Sequence, residues 1–432
     1  MKGIPRILAR PHEAGKAIMA LPLLALLLAA CEDSGAHRTT FQVADSAGVS
    51  IIESTEPLWS SDEGWTISSE PKVVIGQLEG DERYLLDRVG GARRLPDGRI
   101  AILDVGSRRV RIYDSAGKHL ADLGGDGDGP SEFRQPQFLD LIGDTLVVFE
   151  YFPASLTWFS SEGEFIRTNE VLRSATGKFP RAIAFGYLSG RFGIATWIES
   201  VQELAQVEGR NRYPVTLLRF AFDGSEAVSL LSVPGTEVTT FLRPSSTRNR
   251  PVMFGKTAYL AASEDWIYVG PTDDFSVRAY DTEGVLRRIY RRVVPPGPVT
   301  SADIDRYVEK RLREVDPPPE ERGEVEGAIR AWEVAETMPA TRWLCADSQE
   351  NVWVEEFDEE GLGQGRFSVF RSDGAWLGEV DLPDGLPETR GGLFQPWVEI
   401  GSDYILGVWV DQLGVEQVRL YGINKGKERT SQ

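Results

Sequence analysis

The sequence predicts an all-β fold, a six-bladed β-propeller with a helical hairpin inserted between its fourth and fifth blades. Three observations predict this fold: a repeated strand–turn–strand unit, a second set of turns that gives an independent count, and one helical stretch framed by prolines. The 432 residues include 44 glycines and only 4 methionines, which fits a turn-rich β protein better than a helical one. A closed array of repeats can hold this length as one domain.

The repeated unit is an aromatic residue followed four positions later by glycine, at the end of a run that alternates apolar and polar residues. Such a run is a period-two strand, and the glycine permits the tight turn to the next strand. A unit of this kind cannot bury its apolar face alone, so it must pack against copies of itself. The pattern occurs at Tyr113 and Gly117, Phe159 and Gly163, Phe220 and Gly224, Tyr280 and Gly284, and Phe370 and Gly374.

A second kind of turn is predicted between the first and second strands of each blade. Six such turns occur in the sequence, which predicts six blades. The sixth blade has a third strand, Val415 to Tyr421, but no glycine four residues after Tyr421, so we expect its outer strand to come from the N-terminal part of the chain. Residues 72–76 match the outer strand of blade one and are the favoured closing strand, with residues 41–70 as an extra edge. Residues 49–53 are the alternative. The six turns are Pro96–Gly98, Gly143–Asp144, Ser189–Gly190, Ser263–Asp265, Asp347–Glu350 and Gly401–Asp403.

The helical insertion is predicted over residues 300–336. Prolines frame it at residues 295–298 and interrupt it at 317–319, and Thr300 with Asp303 resembles a helix N-terminal cap. Its apolar stripe either packs on the rest of the domain or forms a lid over one mouth of the central channel. The two stripes are Ile304, Tyr307, Val308, Leu312 and Val315, then Val325, Ala328, Ile329 and Trp332.

The N-terminal segment predicts export and lipid attachment. Residues 1–30 combine a basic start with an apolar stretch, Ala17 to Ala30, that is too short for a comfortable membrane span. The run Leu28-Ala29-Ala30-Cys31 resembles the bacterial lipobox, which implies cleavage before Cys31 and lipidation of its side chain. An ordinary signal peptide with an incidental cysteine is the alternative. Residues 31–40 are predicted to be a flexible tether and residues 425–432 a disordered tail.

Several segments resemble the bacterial six-bladed β-propeller lipoproteins related to NHL-repeat propellers. The resemblance covers residues 41–424 and implies a propeller domain and a cell-envelope address, at the periplasmic face or the outer membrane, rather than a reaction. The segments that carry the resemblance are Asp45-Ser46-Ala47-Gly48-Val49, the run from Leu95 to Ala101, the run from Val110 to Lys118 and, above all, the run from Gly124 to Phe133.

The charge balance excludes one class of partner. The formal net charge is −19, and residues 1–30 carry four basic residues and Glu13, so their removal leaves −22. A surface this acidic repels polyphosphates, so no nucleic acid is expected as a partner. The expected partners are the membrane, through the lipid anchor, and an envelope protein or a small ligand.

No catalytic arrangement built on histidine is available. After residues 1–30 the only histidines are His37 in the tether and His119 at the start of an outer strand. Neither a Ser-His-Asp triad nor a histidine metal site can be assembled from them, and Cys345 lies in an apolar run typical of an inert buried thiol. The acidic segments 126–129 and 355–360 are interpreted as a glycine-rich connector and a solvated loop, with Ca²⁺ binding as the alternative.

The innermost strands line the channel, where propellers bind ligands. Arginines there could clamp a carboxylate or sulfate, or they could pair with neighbouring carboxylates. The first hypothesis is therefore a non-catalytic ligand- or protein-binding scaffold. The alternative is a divalent-metal-dependent lactonase or hydrolase similar to gluconolactonase-like propellers. Those proteins bind their metal ion with Glu, Asn and Asp side chains. The predicted inner strands of this chain contain Asp140 and Glu399 but few asparagines. The candidate ligand-face residues are Arg93, Arg94, Asp140, Arg181, Arg342 and Glu399.

The lipid anchor gives a first testable prediction. Replacing Cys31 by alanine is expected to release the protein from membranes, because several acyl chains hold a protein firmly whereas one chain gives only marginal binding. Fractionation of cells after a salt wash measures the outcome. A Cys31→Ala protein that stays with the membrane fraction would rule out lipidation as the anchor.

Overall fold

The structure, a computed structural model, describes residues 40–60, 63–151, 153–172, 182–188, 191–197, 207–243, 246–357, 365–383 and 398–426. The predicted signal peptide, Cys31, all but the last residue of the tether, and Arg181 lie outside these residues. Within them, no helix is long and apolar enough to cross a membrane.

The described chain is nearly all β, and its strands form six small sheets in chain order. Neighbouring strands pair antiparallel, with one exception given below. The strands before the first sheet are β1 (Phe41–Ser46), β2 (Val49–Ser54), β3 (Thr66–Ile67) and β4 (Val73–Ile75). Sheet 1 holds β5 (Val89–Arg94), β6 (Ile100–Asp104), β7 (Arg109–Tyr113) and β8 (His119–Gly124), and sheet 2 holds β9 (Pro136–Ile142), β10 (Thr145–Glu150), β11 (Ser155–Phe159) and β12 (Phe165–Glu170).

The third to sixth sheets continue the same order. Sheet 3 holds β13 (Ile183–Leu188), β14 (Phe192–Trp197), β15 (Gly209–Ala221), β16 (Ala227–Arg243) and β17 (Ser246–Pro251), and sheet 4 holds β18 (Ala258–Ala262), β19 (Ile267–Pro271), β20 (Ser276–Tyr280) and β21 (Leu286–Arg292). Sheet 5 holds β22 (Thr341–Ala346), β23 (Val352–Glu356), β24 (Arg366–Phe370) and β25 (Trp376–Asp381), and sheet 6 holds β26 (Val398–Ile400), β27 (Tyr404–Val410) and β28 (Glu416–Asn424).

The repeated aromatic–glycine motif forms the turn between the third and fourth strands of a sheet. In sheet 1 the Asp114 carboxylate accepts the backbone N–H groups of Ala116 and Lys118 at 2.9 and 2.8 Å. Gly117 has φ +84°, a left-handed conformation that a side chain disfavours. Asp281 and Gly284 repeat this arrangement in sheet 4, which explains why the sequence keeps the same spacing.

The sheets are held together by six apolar clusters, each of which joins two neighbouring sheets. The alternation along a strand decides which neighbour a side chain meets. In β10, Val148 packs towards sheet 1 and Val147 towards sheet 3, and both are fully buried. The last cluster joins sheet 6 to sheet 1, so the packing closes into a ring, and the fold is a β-propeller. One buried member from each of the two sheets that a cluster joins is Leu103 and Leu146, Phe149 and Phe220, Leu217 and Val269, Tyr268 and Phe370, Trp353 and Trp409, and Val408 and Ile102.

The N-terminal strands complete two of the sheets. β4 pairs with β28, with Ile75 opposite Val418 and Val73 opposite Leu420, and thereby adds an outer strand to sheet 6. β1 and β2 form a hairpin on the outer edge of sheet 4, where β2 runs parallel to β21. Residues 73–75 therefore pair with sheet 6, whereas residues 50–54 pair with sheet 4.

Two helices, α1 (Ser301–Val315) and α2 (Arg322–Arg330), lie between β21 and β22. A capping box begins α1: the Thr300 hydroxyl accepts the Asp303 N–H, and the Asp303 carboxylate accepts the Thr300 N–H at 2.7 Å. Leu312 and Ile329 are buried against Met253. The predicted stripes are wrong at Val315, which is 52% exposed because α1 ends there, and at Ala328, which is also exposed.

Ring closure gives the second prediction. Replacing Ile75 by alanine is expected to lower the free energy of unfolding by about 2–5 kcal/mol, because the side chain is fully buried and its loss leaves a cavity. Val74, the next residue of the same strand, is 47% exposed, so Val74→Ala should cost no more than about 0.5 kcal/mol. Urea unfolding of both variants measures the difference, and equal losses would mean that β4 does not close the ring.

Candidate functional site

A cavity of about 590 Å³ lies at the centre of the ring. Each sheet contributes its first strand to the lining, so the cavity is the channel that the sequence predicts. Most of the lining residues lie in the second half of these strands or in the turns that follow, so this pocket belongs to the end of the channel where the first strands finish. One lining residue from each of β5, β9, β13, β18, β22 and β26 is Arg93, Asp140, Tyr187, Leu260, Trp343 and Glu399.

Arg93 and Asp140 form the most buried ion pair of the lining. Arg93 is 7% exposed, and its Nε lies 2.7 Å from Asp140 Oδ1. Its Nη1 donates to the carbonyl oxygen of Ala92 at 2.8 Å. Burial alone lowers the pKa of Arg93, but the charges of Asp140 and Glu399 outweigh it and hold the pKa above its ordinary value. The pair joins sheet 1 to sheet 2 beside the cavity.

Glu399 is a half-buried carboxylate of the lining. It accepts the backbone N–H of Arg94 at 2.9 Å and a short hydrogen bond from the Tyr404 hydroxyl. Burial raises the pKa of Glu399 above its ordinary value, while the Arg93 charge and these hydrogen bonds act in the opposite direction. Glu399 therefore joins sheet 6 to sheet 1, as Asp140 joins sheet 2 to sheet 1.

Arg94 and Arg342 do not line the cavity, and Arg181 lies outside the described residues. Successive side chains of a strand point to opposite sides, so Arg94 faces sheet 6, where its guanidinium lies over the Tyr404 ring at 4.6 Å and 3.9 Å from Asp403. Arg342 lies in β22 and pairs with Glu355 at 3.5 Å. The structure thus brings together Arg93, Asp140 and Glu399, and the described residues form no arginine clamp.

Four aromatic side chains contribute to the cavity wall, and none of them was predicted from the sequence. The lining includes Phe138, Phe185, Tyr187 and Trp343. The Tyr187 hydroxyl is buried and has no hydrogen-bond partner within the described residues. A buried hydroxyl without a partner is costly, so this group is available to a ligand. The signal that could have found it is its place in β13, the first strand of sheet 3.

The mouth of the cavity is acidic. Glu264 and Glu350 lie in the turns that follow β18 and β22 and contribute to the lining. Burial, together with the nearby charges of Asp265 and Glu264, raises the pKa of Glu350 above its ordinary value. Among the described residues of the lining there is one basic residue, Arg93, against five acidic ones: Asp140, Glu264, Asp347, Glu350 and Glu399.

Three further segments of the sequence are possible sites. Asp126 and Asp128 each pair with an arginine, and the Glu132 carboxylate accepts the Gly129 N–H, so this loop is a self-contained connector. Of the acidic run 355–360, residues 358–360 lie outside the described residues. Cys345 lines the cavity but is 7% exposed, and burial holds the pKa of its thiol well above the usual range.

Comparison with known proteins assigns no family to the chain. Neither a protein-family model nor a curated protein matches it. A solved structure of a DUF4221 family member from Bacteroides vulgatus is 11% identical over 85% of this chain and 100% of that one, with a TM-score of 0.46. Regucalcin, a calcium-binding protein from Agrobacterium tumefaciens, is 9% identical over 80% and 94%, with a TM-score of 0.38. Virginiamycin B lyase from Staphylococcus aureus is 10% identical over 77% and 94%, with a TM-score of 0.35. At these values the likenesses assign no activity, and the propeller fold rests on the sheets themselves.

The buried ion pair gives the third prediction. Replacing Arg93 by methionine is expected to cost about 3–5 kcal/mol of folding free energy, because Asp140 and Glu399 lose their compensating charge in a desolvated place. Replacing Arg94 by methionine is the matched control and should cost at most about 1 kcal/mol, since its partner Asp403 is exposed. Guanidinium unfolding compares the two, and a loss for Arg94→Met as large as that for Arg93→Met would refute the assignment.

Proposed function

We propose that the protein is a six-bladed propeller, lipid-anchored in the cell envelope, that binds a small ligand in its central cavity and does not catalyse a reaction. The six sheets are its blades, β4 completes the sixth, and α1 with α2 is an insertion between the fourth and fifth. The closed set of six apolar clusters supports the blade count, and the lipobox-like run ending at Cys31 supports the anchor.

The ligand is proposed to be a small organic cation that carries an aromatic or apolar group. The observation that carries this proposal is the excess of carboxylates over basic residues in a cavity with aromatic walls. Aromatic faces attract cations, and carboxylates at the mouth favour their entry. The Tyr187 hydroxyl supplies a hydrogen-bonding group that lacks a partner in the described residues. The described lining does not support the anion-binding arginine clamp predicted from the sequence, because the Arg93 guanidinium is already paired with the Asp140 carboxylate.

The metal-dependent lactonase is the alternative function, and the residues present do not fit its cation. Asp140 accepts a hydrogen bond from the Arg93 guanidinium, and Glu399 accepts hydrogen bonds from Arg94 and Tyr404. Among the described residues, no group of three or more acidic, histidine or cysteine side chains could hold a metal ion. The positive charge that a divalent ion would supply to these carboxylates comes here from Arg93.

Three probes of one shape but different charge test the ligand class. Tyramine, 4-ethylphenol and 4-hydroxyphenylacetate are cationic, neutral and anionic, and calorimetric titration compares their affinities. Tyramine is expected to bind at least about tenfold more tightly than the carboxylate, because opposite charges near a low-dielectric wall differ by more than about 1.4 kcal/mol. Replacing Glu350 by glutamine should reduce this preference, whereas Glu309→Gln, on the exposed side of α1, should not.

Two outcomes would contradict the proposal. Preference for the anionic probe would show that Arg93 rather than the carboxylates selects the ligand. Stoichiometric divalent metal in the purified protein, together with chelator-sensitive hydrolysis of a sugar lactone, would favour the lactonase. Both measurements use the whole chain and are independent of its membrane attachment.

A further inference from the structure

Within the described residues, sheet 3 carries an extension that the other sheets lack. β15 and β16 have 13 and 17 residues, and β17 pairs with the last part of β16. Residues 209–212 of β15 pair with residues 237–240 of β16, and residues 238–243 pair with 246–251. We call residues 209–212, 238–243 and 246–251 together the basic arm.

The charge of the arm is opposite to that of the rest of the chain. From Val238 to Ser263 the sequence contains no aspartate or glutamate, although the chain has 66 of them. Arg243, Arg248 and Arg250 are exposed, and no carboxylate pairs with them within the described residues. The positive charge of this part of the arm is therefore not compensated locally.

The register gathers these arginines on one face of the arm. Side chains of directly opposed residues lie on the same face of an antiparallel pair, and so do residues two positions apart. Phe241 is opposite Arg248, Thr239 is opposite Arg250, and Arg243 is opposite Ser246, so all three arginines share a face with Phe241. The Arg250 guanidinium lies 5.0 Å from the centre of the Phe241 ring, which holds it beside the aromatic group.

The arm lies at the end of the ring where the described chain begins. β2 runs parallel to β21 and finishes beside Arg292, and the Thr55 N–H donates to the Thr40 carbonyl at 3.0 Å, so Thr40 lies at that end. The loop between β19 and β20 contacts both the base of the basic arm and the end of β21. Its Asp273 pairs with Arg212 at the base of the arm at 2.8 Å, and Phe275 accepts the Arg292 N–H at 3.0 Å. The chain that leads to Cys31 therefore enters the domain at the same end as the basic arm.

We propose that the basic arm docks on an anionic lipid surface, so that this end of the ring faces the membrane. The inference rests on the proposed lipid anchor, which brings the domain to the bilayer. Anionic headgroups repel an acidic protein. Salt screens this repulsion, so only charges within about 8 Å of the membrane surface contribute strongly. The arm places arginines rather than carboxylates within that distance. Each arginine close to an anionic surface strengthens binding about fivefold. Phe241 supplies an apolar contact at the interface.

Lipid nanodiscs containing the mature lipidated chain test the docking. A fluorophore is attached through Ser246→Cys on the arm or, as a control at the opposite end of the ring, through Ser402→Cys; both positions are exposed. Headgroup-bound quenchers should quench the label at position 246 in discs that contain phosphatidylglycerol and much less in phosphatidylcholine discs. High salt should abolish the difference, and the label at position 402 should stay bright in both.

Charge variants then assign the effect to the arm. Neutralising its three arginines should lower the ratio of docked to undocked protein about a hundredfold, as expected from three independent contacts. A control with the same change in net charge at the opposite end of the ring should leave that ratio unchanged. Matching urea unfolding curves verify that both variants fold. The arm variant is Arg243→Gln, Arg248→Gln and Arg250→Gln, and the control is Lys118→Gln, Arg287→Gln and Arg371→Gln.

The possible outcomes distinguish a failure of the docking proposal for the basic arm from a failure of the proposed lipid anchor. Equal quenching in both kinds of disc, or quenching that survives the arm variant, would overturn the proposal. Bright labels in both discs, with crosslinking of position 246 to a protein in intact envelopes, would also overturn it and assign the arm to an acidic protein partner. Mass spectrometry of the peptide containing Cys31 tests the anchor by itself. If that cysteine carries no lipid, flotation of the same chain with phosphatidylglycerol vesicles still tests the arm.

Discussion

The burial of both faces of every sheet is the constraint on which the rest of the structure depends. Each sheet contributes to two apolar clusters, so no sheet has a core of its own. In β6, Ile102 packs towards sheet 6 and Leu103 towards sheet 2, and both are fully buried. Such a ring gains its stability from the interfaces between repeats, and it loses two of them if any one sheet fails. β4 matters for this reason, because Ile75 lies in the cluster that joins the sixth sheet to the first.

Much of the fold could be predicted from the sequence because the turns are chemically distinctive. The spacing from Tyr113 to Gly117 predicts both the end of a strand and a residue in the left-handed conformation. The Thr300–Asp303 pair predicts the start of a helix. The basic arm was not predicted, because a periodic pattern does not show where a strand stops. Pro234 and Gly235 indicate a break, yet β16 continues past them, with a register shift in β15 between Arg212 and Pro214 that accommodates the irregularity.

The candidate site could be predicted in part for the same reason. Strand order identifies the innermost strands, and these contain Arg93, Asp140 and Glu399. The sequence does not say which neighbour each side chain meets, so the opposite directions of Arg93 and Arg94 emerge only from the packing. The carboxylates at the mouth, such as Glu350, lie in turns far apart in the chain, and only closure of the ring brings them around one cavity. Charge is then divided in space: carboxylates dominate the cavity, and uncompensated arginines occupy the arm at the end where the chain enters.

Hydrogen exchange of the β4 amides tests the closure of the ring most directly. The Lys72 N–H donates to the Leu420 carbonyl at 2.7 Å, and residues 73–75 continue the pairing with β28. If this strand completes the ring, its hydrogen-bonded amides should open only with global unfolding and exchange as slowly as those of β6 and β10. Fast exchange in β4 while β6 and β10 stay protected would show that the ring is held without it and would contradict the account.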